Sequence, residues 1–241
     1  WIEVRDGAIR RGRYWQMEFP EAFDRERSAA SWAEELHALL VDSVRLQLRA
    51  DVPVGAYLSG GLDSSATTAL IRNFTPNRVE TFSVAFHDKA YDESGYQNQM
   101  AAYLGTNHHQ IRCSYLDIAE QFKNVIWHTE RPIVRTAPTP LFMLSQLVRD
   151  TKFKVVLTGE GSDEILGGYD IFKEALIRTF WARNPESAWR PALLQRLYPT
   201  LPLSPSKAKF YLDTFNKDGL AQTDRYYFSH MQRIATTSKV K

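Results

Sequence analysis

Four short apolar segments, separated by stretches of helical character, restrict this chain to few folds. The strand candidates are residues 54–59, 79–86, 108–113 and 154–159. The helix candidates that separate them are residues 64–73, 93–104, 115–130 and 140–150. Apolar strands that alternate with helices indicate an α/β fold, in which a parallel sheet carries helices on both faces.

The two ends of the chain follow other patterns. Residues 1–21 alternate apolar and polar positions around an Asp-Gly pair, which predicts a short β-hairpin that is too small to be a domain. Residues 31–48 carry leucine and valine at helical spacing, and Ser31 with Glu34 predicts a capping box at the start of that helix. Residues 185–205 contain five prolines, which predicts loops and short helices.

Composition argues against nucleic-acid binding, against a membrane protein and against an oxidising compartment. The net charge of +2 is too close to zero to indicate a nucleic-acid or membrane-surface protein. No apolar run approaches the roughly 20 residues that span a bilayer. Cys113 is the single cysteine, so no intramolecular disulfide can form, and we expect a reducing, cytoplasmic location.

A run of small and acidic residues, SGGLDSS (59–65), follows the first predicted strand. Ligands of parallel sheets bind at the carboxyl ends of the strands, where this run lies. Glycines allow a tight turn, serines donate hydroxyl protons, and the next helix presents free N–H groups, so the run predicts a cradle for phosphate or pyrophosphate. Asp63 would repel phosphate unless a cation lay between them, so we expect Mg²⁺. A plain Gly-Gly turn with a serine cap is the structural alternative.

A second run, LTGEGSDEILGGY (157–169), follows the fourth predicted strand and is therefore expected at the same edge of the sheet. It places Glu160, Asp163 and Glu164 among glycines. Three carboxylates beside a pyrophosphate cradle need a metal or a cationic substrate to offset their charge. A glycine-rich turn before an acidic helix start is the alternative interpretation.

Together these runs carry a family resemblance. SGGLDSS resembles the pyrophosphate loop of the ATP-pyrophosphatase (PP-loop) superfamily, and with LTGEGSDEILGGY it resembles the synthetase domain of glutamine-dependent asparagine synthetases. Asp63 and Asp163 stand 100 positions apart, which fits that family. TFSVAF with YDESGYQNQMAAYLGTNHHQI is similar to the family's second and third strands. The resemblance covers about residues 31–183 and implies a Rossmann-like fold of the adenine nucleotide alpha-hydrolase type.

The resemblance implies a ligase reaction of amino-acid biosynthesis. ATP adenylates the side-chain carboxylate of aspartate and releases pyrophosphate, and ammonia then attacks the β-aspartyl-AMP to give asparagine. ATP and Mg²⁺ are the implied cofactors. Ammonia would come from glutamine through an amidotransferase domain that this chain lacks.

The resemblance also assigns roles to residues by their position in the two runs. Glu160 is the catalytic residue, linked to formation of the adenylate, and Asp63 and Asp163 are the magnesium ligands. The residues implied for binding ATP are Leu58, Ser59, Gly60, Gly61, Asp63, Ser64, Ser65, Val84, Thr158 and Gly159. Among them, Leu58 and Val84 would contact the adenosine.

The implied domain organisation is incomplete. Because the chain begins at Trp1 rather than methionine, we expect a piece of a longer protein. Residues 1–27 are then a remnant or linker from a missing N-terminal amidotransferase domain, and residues 28–241 a synthetase domain truncated at its C-terminus. The fragment alone is not expected to use glutamine or to carry the full synthetase activity. For the full-length parent protein, a homodimer is one of the oligomeric states considered.

Other hypotheses remain open beside asparagine synthesis. A cyclising enzyme of the β-lactam synthetase type shares the first loop, although such enzymes commonly have tyrosine where Glu160 stands. Related amidotransferases that act on a different carboxylate keep both motifs. A nucleotide-binding remnant without catalysis is the third hypothesis, and the intact Asp63, Glu160 and Asp163 argue against it.

Two histidines, two arginines and the single cysteine lie outside the two glycine-rich runs. His108 and His109 are neighbours in a predicted strand, so their side chains point to opposite faces and are not expected to share a metal. Cys113 is expected to be a small core residue. Arg131 and Arg135 would either reach the substrate or lie on the surface.

Overall fold

The computed structural model describes residues 1–18, 24, 26–75, 78–133, 135–197 and 220. The chain divides into two compact units, Trp1–Leu46 and Gln47–Lys241. The division at residue 27 into a remnant and a synthetase domain stays a prediction. No helix in the described part of the chain is both long and apolar enough to cross a membrane.

The first unit begins with a hairpin of β1 (Ile2–Arg5) and β2 (Ala8–Arg11), which pair antiparallel. Asp6 and Gly7 form the turn with φ of 51° and 78°. Two successive positive φ values are what a two-residue hairpin loop needs, which explains the Asp-Gly pair. The predicted hairpin is therefore confirmed, and residues 19–21 of the predicted segment lie outside the described residues.

The helix α1 (Ala29–Gln47) starts two residues before the predicted helix. The predicted capping box of Ser31 with Glu34 is wrong, because Ser31 already lies in the first turn. Its backbone N–H donates to the hydroxyl of Ser28 at 3.2 Å, so Ser28 caps the helix. Two serines three positions apart compete for this role, and the helix uses the earlier one.

Loss of this cap gives the first testable prediction. Ser28→Ala is expected to lower the free energy of unfolding by about 1 kcal/mol, because the Ser31 N–H loses its acceptor. Glu34→Ala, which removes the other half of the wrongly predicted box, is the matched control and is expected to change stability by less than about 0.5 kcal/mol. Thermal unfolding followed by circular dichroism measures both, and equal losses in the two variants would contradict the assignment of the cap.

The second unit contains a four-stranded parallel sheet in the order β5-β4-β3-β6. Its strands are β3 (Val54–Tyr57), β4 (Glu80–Phe86), β5 (Asn107–Cys113) and β6 (Val155–Leu157). The helices between them are α2 (Leu62–Phe74), α3 (Ser94–Leu104), α4 (Tyr115–Thr129) and α5 (Pro138–Asp150). The chain continues with α6 (Ser162–Leu166), α7 (Asp170–Ala182) and α8 (Ala192–Gln195). The predicted parallel α/β sheet is confirmed.

Helices cover both faces of this sheet, as the central strand β4 shows. Phe82 is fully buried and packs with Leu144 and Val148 of α5. The next residue, Ser83, points to the opposite face, where its hydroxyl donates to Gln97 of α3. A strand that is buried on both faces explains why its sequence, ETFSVAF, reads as a nearly continuous run of apolar and small residues.

The order of the strands creates a crevice at one point of the sheet. From β3 the chain proceeds to β4 and β5 on one side, and then returns to place β6 on the other side of β3. Parallel sheets bind ligands at such a reversal, outside the carboxyl ends of the two strands concerned. The two glycine-rich runs follow β3 and β6, so both lie at this point.

The residues after α6 form a small separate core. Trp181 of α7 packs with Leu194 of α8 and with Leu220. The short helix α8 agrees with the loops and short helices predicted for residues 185–205, of which residues 198–205 lie outside the described residues.

Candidate functional site

The two glycine-rich loops are in direct contact. A Cβ added at Gly159, in the loop after β6, would lie 2.9 Å from the Asp63 carbonyl carbon and from the Ser64 nitrogen. The backbone of the second loop therefore rests on the first turn of α2, where no side chain fits. This contact joins the two sequence motifs into one site at the crevice between β3 and β6.

The loop after β3 is braced by its own serines. The Ser59 N–H donates to the Ser64 hydroxyl at 3.1 Å, and that hydroxyl donates to the Gly61 carbonyl at 3.2 Å. Gly60 has a φ of +83°, and a Cβ there would lie 2.8 Å from the Gln97 nitrogen. Ser59, Gly60 and Ser64 thus set the shape of the loop.

The N-terminus of α2 is open to a ligand. The helix starts after Gly61, and no side chain caps its first turn. The hydroxyl of Ser65 is buried and has no hydrogen-bond partner among the described residues. Open N–H groups at a helix start favour an anionic ligand, which agrees with the phosphate cradle predicted from the sequence.

The loop after β6 presents the acidic residues. The Ser162 hydroxyl donates to the Gly159 carbonyl at 2.7 Å, and the Glu160 N–H donates to the Thr158 hydroxyl at 3.3 Å. Gly161 turns the chain into α6 with a φ of +92°. These bonds hold the backbone while the Glu160 side chain remains exposed.

The double glycine after α6 also has a structural reason. Gly167 ends the helix with a φ of +71°, and a Cβ at Gly168 would overlap the carboxylate of Asp163. Tyr169 follows, and its hydroxyl donates to Glu164 at 3.0 Å. That hydrogen bond, together with the neighbouring carboxylates, raises the pKa of Tyr169.

Both loops open on a cavity of about 960 Å³. The sequence-predicted residues that line it are Leu58, Ser59, Asp63, Ser64, Val84, Thr158, Gly159, Glu160 and Asp163. Gly60, Gly61 and Ser65 do not line it: the two glycines form the turn of the loop, and Ser65 is buried in the first turn of α2. The geometry thus gathers nine of the predicted residues around one space and leaves three in the adjoining loop and helix.

The opposite wall of the cavity was missed by sequence reasoning. It is formed after β4 and β5 and at the start of α5 by residues that include Asp88, Tyr91, Asp92, Glu93, Gln97, Ser114, Tyr115, Thr136 and Pro140. The one available signal was position, because the segments after β4 and β5 leave the same edge of the sheet as the two loops.

The cavity is strongly acidic. Its carboxylates are Asp63, Asp88, Asp92, Glu93, Glu160, Asp163 and Glu164, and no Lys, Arg or His of the described residues lines it. Hydrogen bonds from Tyr115 and Ser94 lower the pKa of Asp88 and Asp92 respectively, so both are ionised at neutral pH. An anionic ligand can enter only with a cation that offsets these charges.

The two histidines behave as predicted. His108 bonds to Thr81 and Ser83 through its two ring nitrogens, each at 3.0 Å. His109 points to the other face, where it pairs with Glu80 and stacks on Phe82 with ring centroids 5.2 Å apart. The two rings share no ligand position.

Cys113 and the two arginines also have definite places. Cys113 is buried, as expected, and its burial raises the pKa of its thiol. Arg131 and Arg135 are exposed and do not line the cavity, which favours the surface interpretation over contact with the substrate.

A known protein family matches most of this chain. The family model described as asparagine synthase matches residues 35–238. The chain belongs to the asparagine synthase family. This membership agrees with the resemblance carried by SGGLDSS and LTGEGSDEILGGY.

Several individual proteins are similar to this asparagine synthase family chain. Asparagine synthetase B of Escherichia coli is 35% identical over 184 residues, which cover 71% of this chain and 33% of that protein. The amidase chyE of Penicillium rubens is 32% identical over 195 residues, covering 75% of this chain and 28% of that protein. The chain thus spans about a third or less of the length of these relatives.

One solved structure is also similar. An NH3-dependent NAD synthetase from Campylobacter jejuni, in complex with nitrate, superposes with a TM-score of 0.40 at 18% identity. The match covers 56% of this chain and 60% of that chain.

Proposed function

We propose that this protein supplies the ATP-dependent step of asparagine synthesis. In this reaction ATP adenylates the side-chain carboxylate of aspartate, and ammonia then displaces AMP to form the amide. The observation that carries the proposal is the contact between the loops after β3 and β6, which places an open helix N-terminus beside Glu160 and Asp163 in one cavity.

The loop after β3 and the start of α2 would hold the pyrophosphate portion of ATP. N–H groups of the first turn of α2 supply hydrogen-bond donors for phosphate oxygens. Donors fixed in advance also stabilise the charge that develops on the α-phosphate and on the leaving pyrophosphate. Leu58 and Val84, at the ends of β3 and β4, would contact the adenosine, and Thr158 with Gly159 would meet the nucleotide from the other loop.

The residues of the cavity fit a magnesium ion bound together with ATP. Asp63 and Asp163 carry hard oxygen donors, and neither forms an ion pair among the described residues. No group of three or more His, Cys, Asp or Glu side chains in the described part of the chain could hold a metal by itself. Mg²⁺ commonly binds through one or two carboxylates plus substrate phosphates, so this pair suits a metal that arrives with ATP. The ion would supply Lewis-acid stabilisation of phosphate charge.

Glu160 would position the acceptor. Its backbone is fixed by Thr158, and its side chain is exposed at the cavity beside the cradle. A carboxylate there can bind the ammonium group of an amino-acid substrate and hold the reacting carboxylate near the α-phosphate. Such alignment converts a two-molecule encounter into a reaction within one complex.

Adenylation and amidation each form one covalent bond and break another. A side-chain oxygen of aspartate attacks the α-phosphorus of ATP, and the bond to the bridging oxygen of pyrophosphate breaks. Ammonia then attacks the acyl carbon, AMP leaves with the oxygen that came from aspartate, and the extra proton passes to solvent. Use of glutamine as the ammonia source would need an amidotransferase function in addition to these steps.

A second candidate is amide formation on a different carboxylate. This candidate is supported by the similarity to a protein named amidase chyE, which extends over 75% of this chain. Cyclisation of the β-lactam synthetase type remains less favoured, since a glutamate rather than a tyrosine occupies position 160. ATP–pyrophosphate exchange on the full-length protein with a panel of carboxylates separates these candidates, because only the true acceptor supports exchange. Exchange that requires a carboxylate other than aspartate would retain the adenylation and reject asparagine.

Magnesium dependence gives the second prediction. Asp63→Asn is expected to keep the fold and to weaken Mg²⁺-dependent ATP binding by about 1–3 kcal/mol, since one charged ligand contact is lost. Titration calorimetry with and without Mg²⁺ measures the difference, and Asp150→Asn, at the exposed end of α5, is the matched control. Unchanged affinity in Asp63→Asn would remove this carboxylate from the site. A folded wild-type chain that binds no ATP at millimolar concentration with Mg²⁺ would contradict the proposed function.

A further inference from the structure

We infer that Gln97 is a positioning residue for the nucleoside end of the cavity, where its side-chain amide holds the Val84 peptide. This inference rests on the proposed function, in which Val84 contacts the adenosine. Gln97 lies in the first half of α3, is 3% exposed and lines the cavity.

The need for such a residue arises because β4 is longer than β3. The last pair between these strands joins Tyr57 to Phe82, and the Leu58 N–H donates to the Phe82 carbonyl at 2.9 Å. β4 continues to Phe86. Backbone polar groups alternate between the two sides of a strand, so those of Val84 face the same side as those of Phe82, past the end of β3.

Gln97 supplies the missing partner for this overhanging peptide. Its Nε2 donates to the Val84 carbonyl at 2.9 Å. The carbonyl of an overhanging strand end would otherwise have to find water. The ladder with β5 holds β4 from its other side. With its carbonyl paired to Gln97, Val84 presents its N–H at the cavity edge as the backbone hydrogen-bond donor for a base.

The orientation of the Gln97 amide is itself fixed. Its Oε1 accepts from the Ser83 hydroxyl at 2.8 Å and from the Gln110 Nε2 at 2.9 Å. A flipped amide would present its donor end to Ser83 and Gln110 and its acceptor end to Val84, so all three hydrogen bonds would be lost or reversed.

His108 completes the arrangement from behind. The Ser83 hydroxyl has one proton, which it donates to Gln97, so it must accept from the Nε2–H of His108. The Nδ1 of His108 lies 3.0 Å from the Thr81 hydroxyl on the other side of the ring. Burial lowers the pKa of His108, which favours the neutral imidazole.

The pyrophosphate loop depends on a different part of Gln97. The atoms nearest to a Cβ added at Gly60 are the backbone nitrogen of Gln97 and two atoms of Tyr96. Replacement of the side chain should therefore disturb the Val84 peptide and leave the support of the loop in place. The expected signature is a selective loss of nucleotide affinity with retained affinity for pyrophosphate.

Titration calorimetry of the chain with Mg²⁺·ATP and with Mg²⁺·pyrophosphate tests this inference. Gln97→Met is expected to weaken ATP binding about 10-fold, the cost of about one lost hydrogen-bonding partner at a buried site, and to change pyrophosphate affinity less than twofold. Gln99→Met, at an exposed position of the same helix, is the matched control and should bind both ligands as the wild type does. A general structural role for Gln97 would weaken both ligands alike.

The other outcomes are equally decisive. Wild-type ATP affinity in Gln97→Met, or an equal loss for both ligands, would overturn the inference while the proposed function stands. A wild-type chain that binds neither ligand would overturn both. Should Gln97→Met not fold, Ser83→Ala removes the hydroxyl that orients the amide and is read in the same way: selective weakening of ATP supports the inference, and unchanged ATP affinity overturns it.

Discussion

Glu160→Ala is expected to abolish aspartate-dependent ATP–pyrophosphate exchange in the full-length protein while Mg²⁺·ATP binding persists. Glu160 lies three residues after the end of β6 and lines the cavity beside the cradle, but it lies outside the loop that would hold pyrophosphate. Removal of its carboxylate leaves the nucleotide contacts intact and frees the acceptor from its productive position. A misplaced acceptor costs about 10²-fold or more in rate, which would bring exchange close to background.

The control for this experiment is Glu120→Ala, which removes an exposed carboxylate from α4 away from the cavity. It is expected to retain wild-type exchange and wild-type ATP affinity. Exchange in Glu160→Ala within a few-fold of wild type would remove Glu160 from the reaction. Loss of ATP binding together with exchange would instead make it a nucleotide-binding residue.

Gly159→Ala is expected to weaken ligand binding strongly. The new Cβ would lie 2.9 Å from backbone atoms of Asp63 and Ser64, which belong to a helix and cannot easily move aside. The loops must separate, so the cradle and the acidic loop no longer share one geometry. We expect ATP affinity to fall about 100-fold, and the free energy of unfolding to fall by about 1–3 kcal/mol, the usual cost of overpacking.

Gly95→Ala provides a matched control for the added methyl group. Gly95 lies in the first turn of α3, and a Cβ there meets nothing within 4 Å. Because alanine favours a helix over glycine, this variant is expected to be unchanged or more stable by about 0.5–1 kcal/mol. Wild-type ATP binding by Gly159→Ala would show that the contact between the two loops is not needed for the site.

Much of the fold, and the part of the site formed by the loops after β3 and β6, can be predicted from local sequence. The inner strands β3 and β4 are recognisable because buried parallel strands are largely apolar, and SGGLDSS marks a loop because two glycines and an acid interrupt a strand–helix junction. The position of LTGEGSDEILGGY after another buried strand places it at the same edge. The sequence does not give the order of the strands, so the contact of Gly159 with α2 appears only in the structure.

The missed features share one physical cause, which is that they depend on tertiary neighbours. Asp88 and Tyr115 are unremarkable in sequence, yet their side chains hydrogen-bond across the cavity wall at 2.5 Å. Gln97 looks like any polar residue of a helix until β4 is seen to extend past β3. The choice of Ser28 over Ser31 as helix cap depends on one hydrogen bond that two equivalent serines could each have made.

The most direct test of the central claim follows the oxygen atoms of the acceptor. The full-length protein is supplied with ATP, Mg²⁺, ammonia and aspartate that carries ¹⁸O in its side-chain carboxylate, and the products are analysed by mass spectrometry. Adenylation of that carboxylate predicts one ¹⁸O atom in AMP, none in pyrophosphate, and asparagine as the amide product. AMP without ¹⁸O, or label in inorganic phosphate released together with ADP, would contradict adenylation of aspartate at this site.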